Sequence, residues 1–186
     1  MKMEIYKKKI DGFVELVPET YEDERGFLAP LYNEKVFREL GFPTRWVEEG
    51  HHHTRRKYTL RGLHVSLPPF SESKLLRVTK GEMLWVAVDV RKDSKTFGAW
   101  DSVVLSETRR NLLLATPGFA HGCLSLTDSV DLVFKSDNNF SETHGTGIIW
   151  NDPDLNIDWN LGDAIPFVSE RDTGYSSFAV FKSNHE

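Results

Sequence analysis

Between residues 74 and 135 the chain alternates short apolar runs with turn residues, and the runs carry the period of a strand. Across residues 82–90, Met83, Trp85, Ala87 and Asp89 share one side and Leu84, Val86, Val88 and Val90 the other, because successive side chains of a strand point to opposite faces. Residues 74–78, 102–105, 111–115, 122–126 and 131–135 predict further strands, and Lys80-Gly81 predicts a hairpin turn between residues 74–78 and 82–90. One early helix is predicted between Asn33, which can cap its start, and Gly41, which can end it; Val36, Phe37 and Leu40 share a face. Near the C-terminus, Asn151-Asp152-Pro153-Asp154 reads as a turn before Ile157 and Trp159, and residues 169–172 begin a short helix. Short strands at this spacing predict an all-β sandwich or barrel with a few short helices.

Composition narrows the picture. The 186 residues contain no repeat, low-complexity tract or linker, so one domain spanning 1–186 is expected, large enough for a core without disulfides or metal. A net charge of -5 with acids and bases intermixed argues against a general nucleic-acid partner but leaves room for a local basic pocket that holds a phosphate. The single cysteine, Cys123, suggests a reducing compartment and reads better as a buried filler than as a reactive thiol. The polar N-terminal residues do not form a signal peptide, and no run approaches the ~20 apolar residues of a membrane span. A cytoplasmic protein with no membrane partner is expected.

Candidate chemistry lies in Arg61-Gly62-Leu63-His64, in Lys74, and in Pro117-Gly118-Phe119-Ala120-His121-Gly122. Two imidazoles and an ammonium among apolar strands suit proton transfer beside a carbonyl. Read singly, each has a structural explanation: a satisfied strand histidine, a solvated edge lysine, a surface ion pair for Arg61. His51-His52-His53 invites a metal reading, but no carboxylate follows at a convincing spacing, and no metal or other cofactor is expected. A dinucleotide-binding glycine turn is also missing.

Together with Asp23-Glu24-Arg25-Gly26-Phe27, residues 74–78, residues 86–94 and Gly147-Ile148-Ile149-Trp150-Asn151-Asp152-Pro153, these segments resemble the dTDP-4-dehydrorhamnose 3,5-epimerase family. Members are cupin-like jelly rolls acting on nucleotide-linked 4-keto-6-deoxy sugars. The resemblance implies that His64 is the base, Asp172 its carboxylate partner and Lys74 the cation facing the ketone and its enolate. It implies diphosphate contacts for Arg25 and Arg61 and a pocket-lining place for His121. It further implies a homodimer in which a strand from one subunit completes the other's site, so that Arg25 serves the neighbour.

The chain departs from the family pattern at the presumed site. Phe134 stands where a tyrosine is thought to give the opposite-face proton, chiefly at C5, and a phenyl ring has no hydroxyl to give. Phe140 replaces a second tyrosine near the nucleotide, Trp85 replaces an acidic residue, and Glu49, His51, His53 and Ser66 replace other pocket residues. The implied activity is inversion at C3 of CDP- or dTDP-4-keto-6-deoxyglucose in deoxysugar and surface-polysaccharide synthesis. A full 3,5-epimerase using water, a C5-only enzyme, a silent sugar-nucleotide binder and a metal-dependent oxygenase are the alternatives.

Overall fold

A computed structural model describes residues 1–185. Two antiparallel sheets face one another. The first contains β1 (Met3–Lys7), β2 (Phe13–Pro18), β10 (Leu112–Ala115), β7 (Lys74–Lys80), β12 (Val130–Ser136) and β5 (Glu48–Thr54), in that order. The second runs β13 (Gly145–Gly147), β6 (Leu60–Ser66), β11 (Phe119–Ser125), β8 (Glu82–Asp89) and β9 (Trp100–Ser106). A two-stranded ribbon, β3 (Tyr21–Asp23) with β4 (Gly26–Leu28), forms a separate sheet. From β5 onward the chain crosses from sheet to sheet at every step except β8 to β9, which is the jelly-roll architecture expected.

The predicted strands are present, but one predicted connection is not. Lys80-Gly81 does not close a hairpin: β7 pairs with β10 and β12, whereas β8 pairs with β11 and β9. Gly81, at φ +76°, turns a corner between the sheets, and Glu82 donates its amide to Thr127 Oγ1 at 3.0 Å. A two-residue turn reverses the chain, but the free hydrogen-bonding edges decide which sheet receives it, and both edges of β7 are filled by strands distant in sequence.

Alternation within the strands builds three apolar layers. Met83, Trp85 and Ala87 point between the sheets and meet Leu76, Val78, Leu113 and Leu132. Leu84, Val86 and Val88 point outward, where the C-terminal tail covers them with Leu155, Trp159 and Phe181. Leu75, Leu112 and Leu114 take the outer side of the first sheet under Phe37. Apolar runs such as Leu112-Leu113-Leu114 are therefore apolar on both faces because both faces are covered, each buried large side chain being worth ~1.5–3 kcal/mol.

Phe37 belongs to α1 (Glu34–Glu39), where Asn33 accepts a hydrogen bond from Val36 N at 3.1 Å as predicted. Leu40 does not join its buried face and remains 38% exposed. In the tail, Asp152 accepts amides from Asp154 and Leu155 through one oxygen and from Phe178 through the other. It thereby ties the turn to α3 (Phe178–His185), a helix with no counterpart among the predicted elements. The other predicted helix is α2 (Glu170–Thr173), with Ser169 Oγ accepting from Asp172 N at 3.2 Å.

Candidate active site

An open cavity of about 230 Å³ lies between the sheets, with walls from both. From β6 come Arg61, His64 and Ser66, while Leu60 and Leu63 pack outward against the tail layer and Val65 belongs to that layer yet also borders the cavity. That division breaks simple alternation at Gly62. Its φ is +108°, and a Cβ there would lie 2.4 Å from the His121 carbonyl oxygen, so glycine alone lets β6 press this closely on β11. The register between the two strands shifts at the same place, and His121 comes directly opposite His64.

α2 delivers Asp172 behind His64. One carboxylate oxygen meets His64 Nε2 at 2.8 Å and the other accepts the Gly62 amide at 3.0 Å. Asp172 is 4% exposed, so its charge is held by these two partners rather than by water. A carboxylate at Nε2 favours the proton on that nitrogen and leaves the lone pair on Nδ1. The Tyr175 ring stands edge-on to His64 with centroids 5.9 Å apart, and Tyr175 accepts a hydrogen bond from Arg171, which also reaches the cavity.

Lys74, at the start of β7, belongs to the same cavity lining as His64. Its ammonium donates to Glu72 Oε1 at 2.7 Å and lies 5.3 Å from the centroid of the Phe134 ring. Glu72 is buried and also accepts from Ser66 at 3.0 Å and from Ser136. A carboxylate so placed fixes the ammonium while keeping its own charge satisfied. Across the cavity, Trp85 on β8 donates its indole N–H to His121 Nδ1 at 3.3 Å.

Burial and neighbouring cations set the protonation of the buried groups. Desolvation, reinforced by Lys74 and His64, pushes His121 down to about 3. Desolvation and the Arg61 charge push His52 down to about 4. Both rings are neutral near pH 7, so an acid limb in activity above pH 5 would belong to neither. Burial pushes the Cys123 thiol up to about 12, which makes it the filler predicted rather than a nucleophile.

Arg61, His64, Lys74, Trp85, His121, Phe134 and Phe140 all line this cavity, and Asp172 braces one of them. Glu49 and His51 do not. Glu49 pairs with Lys135 and borders a separate outer groove with Leu31 and Tyr32. His51 and His53 share the outer face of β5 and meet on one oxygen of Asp131, at 3.0 and 2.8 Å. The inward face of β5 carries Glu48, Gly50, His52 and Thr54, and of these His52 lines the cavity. Gly50 pairs with Phe134, and a Cβ there would lie 2.4 Å from the Phe134 ring, so the bulky ring takes the space under the glycine and sets the strand's parity. Among the described residues, no group of three or more His, Cys, Asp or Glu side chains is arranged to hold a metal ion.

Arg25 lies outside the cavity as well. It sits on the β3–β4 ribbon with its side chain 86% exposed, bonded to Asp23 at 2.5 Å. Conversely, the sequence reading missed Glu72, His52 and Arg171. Glu72 had one usable signal, its place two residues before Lys74 in a strand-entry segment.

Comparison with known proteins bears on the same constellation. The profile of the dTDP-4-dehydrorhamnose 3,5-epimerase family matches residues 7–179. A dTDP-4-dehydrorhamnose 3,5-epimerase from Shigella flexneri is 38% identical over 177 residues, covering 95% of this chain and 96% of the relative. The dTDP-6-deoxy-D-glucose-3,5-epimerase of Legionella pneumophila, solved with dTDP-4-keto-L-rhamnose, is 33% identical. It superposes with a TM-score of 0.92 over 98% of this chain and 96% of that one. A 3'-monoepimerase from Streptomyces bikiniensis, solved with dTDP-quinovose, is 28% identical, with a TM-score of 0.89 over 96% of this chain and 89% of that one. Among the described residues, no helix is long and apolar enough to cross a membrane. With a family match over nearly its whole length and a jelly roll that superposes on these enzymes, the chain belongs to the dTDP-4-dehydrorhamnose 3,5-epimerase family and is a sugar-nucleotide epimerase.

Proposed function

We propose that the enzyme inverts C3 of a nucleotide-diphosphate-linked 4-keto-6-deoxyhexose and leaves C5 unchanged. The ketone acidifies the hydrogens on both neighbouring carbons. His64 Nδ1 takes the C3 proton, the C–H electrons form the C3–C4 double bond, and negative charge collects on the C4 oxygen. A proton then returns to C3 from the opposite face, from water or another group, and the ketone is restored. Asp172 orients the His64 ring and balances its positive charge once protonated. Lys74 stabilises the enolate oxygen, where a fixed cation helps most.

Phe134 is the observation that carries C3 selectivity. Its ring lies in the cavity beside the Lys74 ammonium, at the position from which a hydroxyl would serve C5, and it can donate nothing. The monoepimerase relative supports inversion at one carbon on this scaffold but not the loss of a hydroxyl as its cause, since that enzyme was also solved with a tyrosine replaced by phenylalanine and so carries the tyrosine naturally. The curated relatives named 3,5-epimerases favour the second reading, a full 3,5-epimerase in which water replaces the missing hydroxyl.

Arg61 and Arg171, both on the cavity wall, supply the local positive charge that a diphosphate needs in a chain of net charge -5. Phe140, 63% exposed at the rim, offers a flat face to the base. His121 and Trp85 shape the sugar side. The substrate is CDP- or dTDP-linked, and the protein works without metal or redox cofactor as one domain in the cytoplasm. The chain acts as a homodimer with strand exchange, in which the exposed β3–β4 ribbon carries Arg25 to the partner's diphosphate.

Incubation with CDP- and dTDP-4-keto-6-deoxyglucose, followed by borohydride reduction and identification of the sugars, tests the proposal. C3-inverted, C5-retained products are expected. Products inverted at both carbons favour the 3,5-epimerase reading, and unchanged sugars with measurable binding would mean a silent binder.

A further inference from the structure

An indole N–H donates and cannot accept. Trp85 is 8% exposed, so its N–H must find a partner inside the protein, and the acceptor it meets is His121 Nδ1 at 3.3 Å. A neutral imidazole that accepts through Nδ1 carries its proton on Nε2. Among the described residues Nδ1 is the ring nitrogen of His121 that is bonded, and Nε2 has no partner. The ring lies on the cavity wall with Lys74 and His64, close enough for the charges of both to act on it.

We propose that Trp85 is a positioning residue that locks His121 as the Nε2–H tautomer, so that the cavity offers a fixed neutral donor beside the Lys74 ammonium to the oxygen on which enolate charge collects. The arrangement meets a specific need. Lys74 shares its charge with Glu72, and a second cation beside it would be repelled. A neutral N–H adds stabilisation without that repulsion, and it costs no reorientation during the reaction because the indole fixes the ring in advance. Burial pushes the ring down to about 3 and so keeps it uncharged near pH 7, which preserves the donor. Had Nδ1 held the proton, the indole N–H would be buried without an acceptor, at a cost of ~1–3 kcal/mol.

The inference rests on the epimerase reading for its ligand, but its first readout does not. Long-range proton–nitrogen NMR of ring-labelled protein, without substrate, identifies which His121 nitrogen is protonated. Nε2–H is expected in the wild type at pH 7, and a mixture of tautomers in Trp85→Phe, which keeps an aromatic ring but has no N–H. In deuterated water the variant's kcat for exchange at C3 should fall about tenfold, with KM within about twofold, since one aligned hydrogen bond is lost in the transition state. A wild-type ring protonated on Nδ1 would overturn the proposal, as would a folded Trp85→Phe enzyme with wild-type kcat. If the variant does not fold, the wild-type spectrum decides alone. Absence of any exchange by the wild type would sink the epimerase reading and leave the tautomer assignment to the spectrum.

Discussion

Replacing His64 by asparagine should lower hydrogen exchange at C3 of the 4-keto sugar by ~10²–10⁴-fold, the usual worth of a positioned general base. The asparagine amide takes the place of Nδ1 rather than of Nε2 and leaves Asp172 with the Gly62 amide, but the His64 side chain is 45% exposed, so water can reach the vacated position and the fold loses little. The thermal midpoint should move by no more than a few degrees, and binding of the nucleotide should be nearly unchanged, because Arg61 and Arg171 are untouched. Single-turnover exchange in deuterated water, with nucleotide diphosphate affinity measured alongside, separates these effects. Asp172→Asn should be less damaging for exchange but costlier for stability. That carboxylate is 4% exposed and also accepts the Gly62 amide at 3.0 Å, a contact that holds β6 and α2 together.

Lys74→Met should cost ~10²–10³-fold in exchange rate, the range seen when one preorganised oxyanion partner is removed. The loss should appear in kcat, because charge on the C4 oxygen grows only as the C3 proton leaves. Stability should fall too. Glu72 is buried beside Lys74, and removing the ammonium leaves its carboxylate with only the Ser66 and Ser136 hydroxyls. Lys74→Met/Glu72→Gln should recover much of the lost stability, measured by urea unfolding, and none of the lost exchange. Recovery of exchange in the double variant would mean that Lys74 acts through Glu72 rather than on substrate.

The parts of this molecule that were legible in the sequence are those where local pattern and tertiary environment agree. Residues 82–90 read as a strand because both of its faces are covered, one by the inter-sheet core and the other by the tail. Asn33 and Ser169 marked their helices because a capping side chain needs only local partners. The Lys80-Gly81 connection misled because turn chemistry sets a reversal and says nothing of which strand edge is free. β5 misled for a different reason. Its residues Glu48 to Thr54 are almost all polar, so period-two alternation has no apolar side to identify the inner face. Parity came instead from Gly50 lying under Phe134, a contact across strands 84 residues apart in register. The choice of Glu49 and His51 came from the family resemblance, and it fell on the face of β5 opposite to Gly50 and His52.

At the site, His64, Lys74, His121 and Phe134 were legible because they sit within recognisable strand segments. Glu72 was not: in Ser71-Glu72-Ser73 it has the composition of a solvated turn, and only the approach of Ser136 and Lys74 makes it a buried counter-charge. Trp85 was legible as a cavity residue but not as a donor, since its N–H partner comes from another strand.

Everything turns on an enolate formed toward C3 with no effective proton return at C5. Nuclear magnetic resonance of the sugar nucleotide during turnover in deuterated water, run on the wild type and on Phe134→Tyr, reads this directly. Deuterium should enter at C3 alone in the wild type, and C5 labelling should appear when the hydroxyl is restored. Equal labelling of both carbons by the wild type, or labelling confined to C5, would contradict the account.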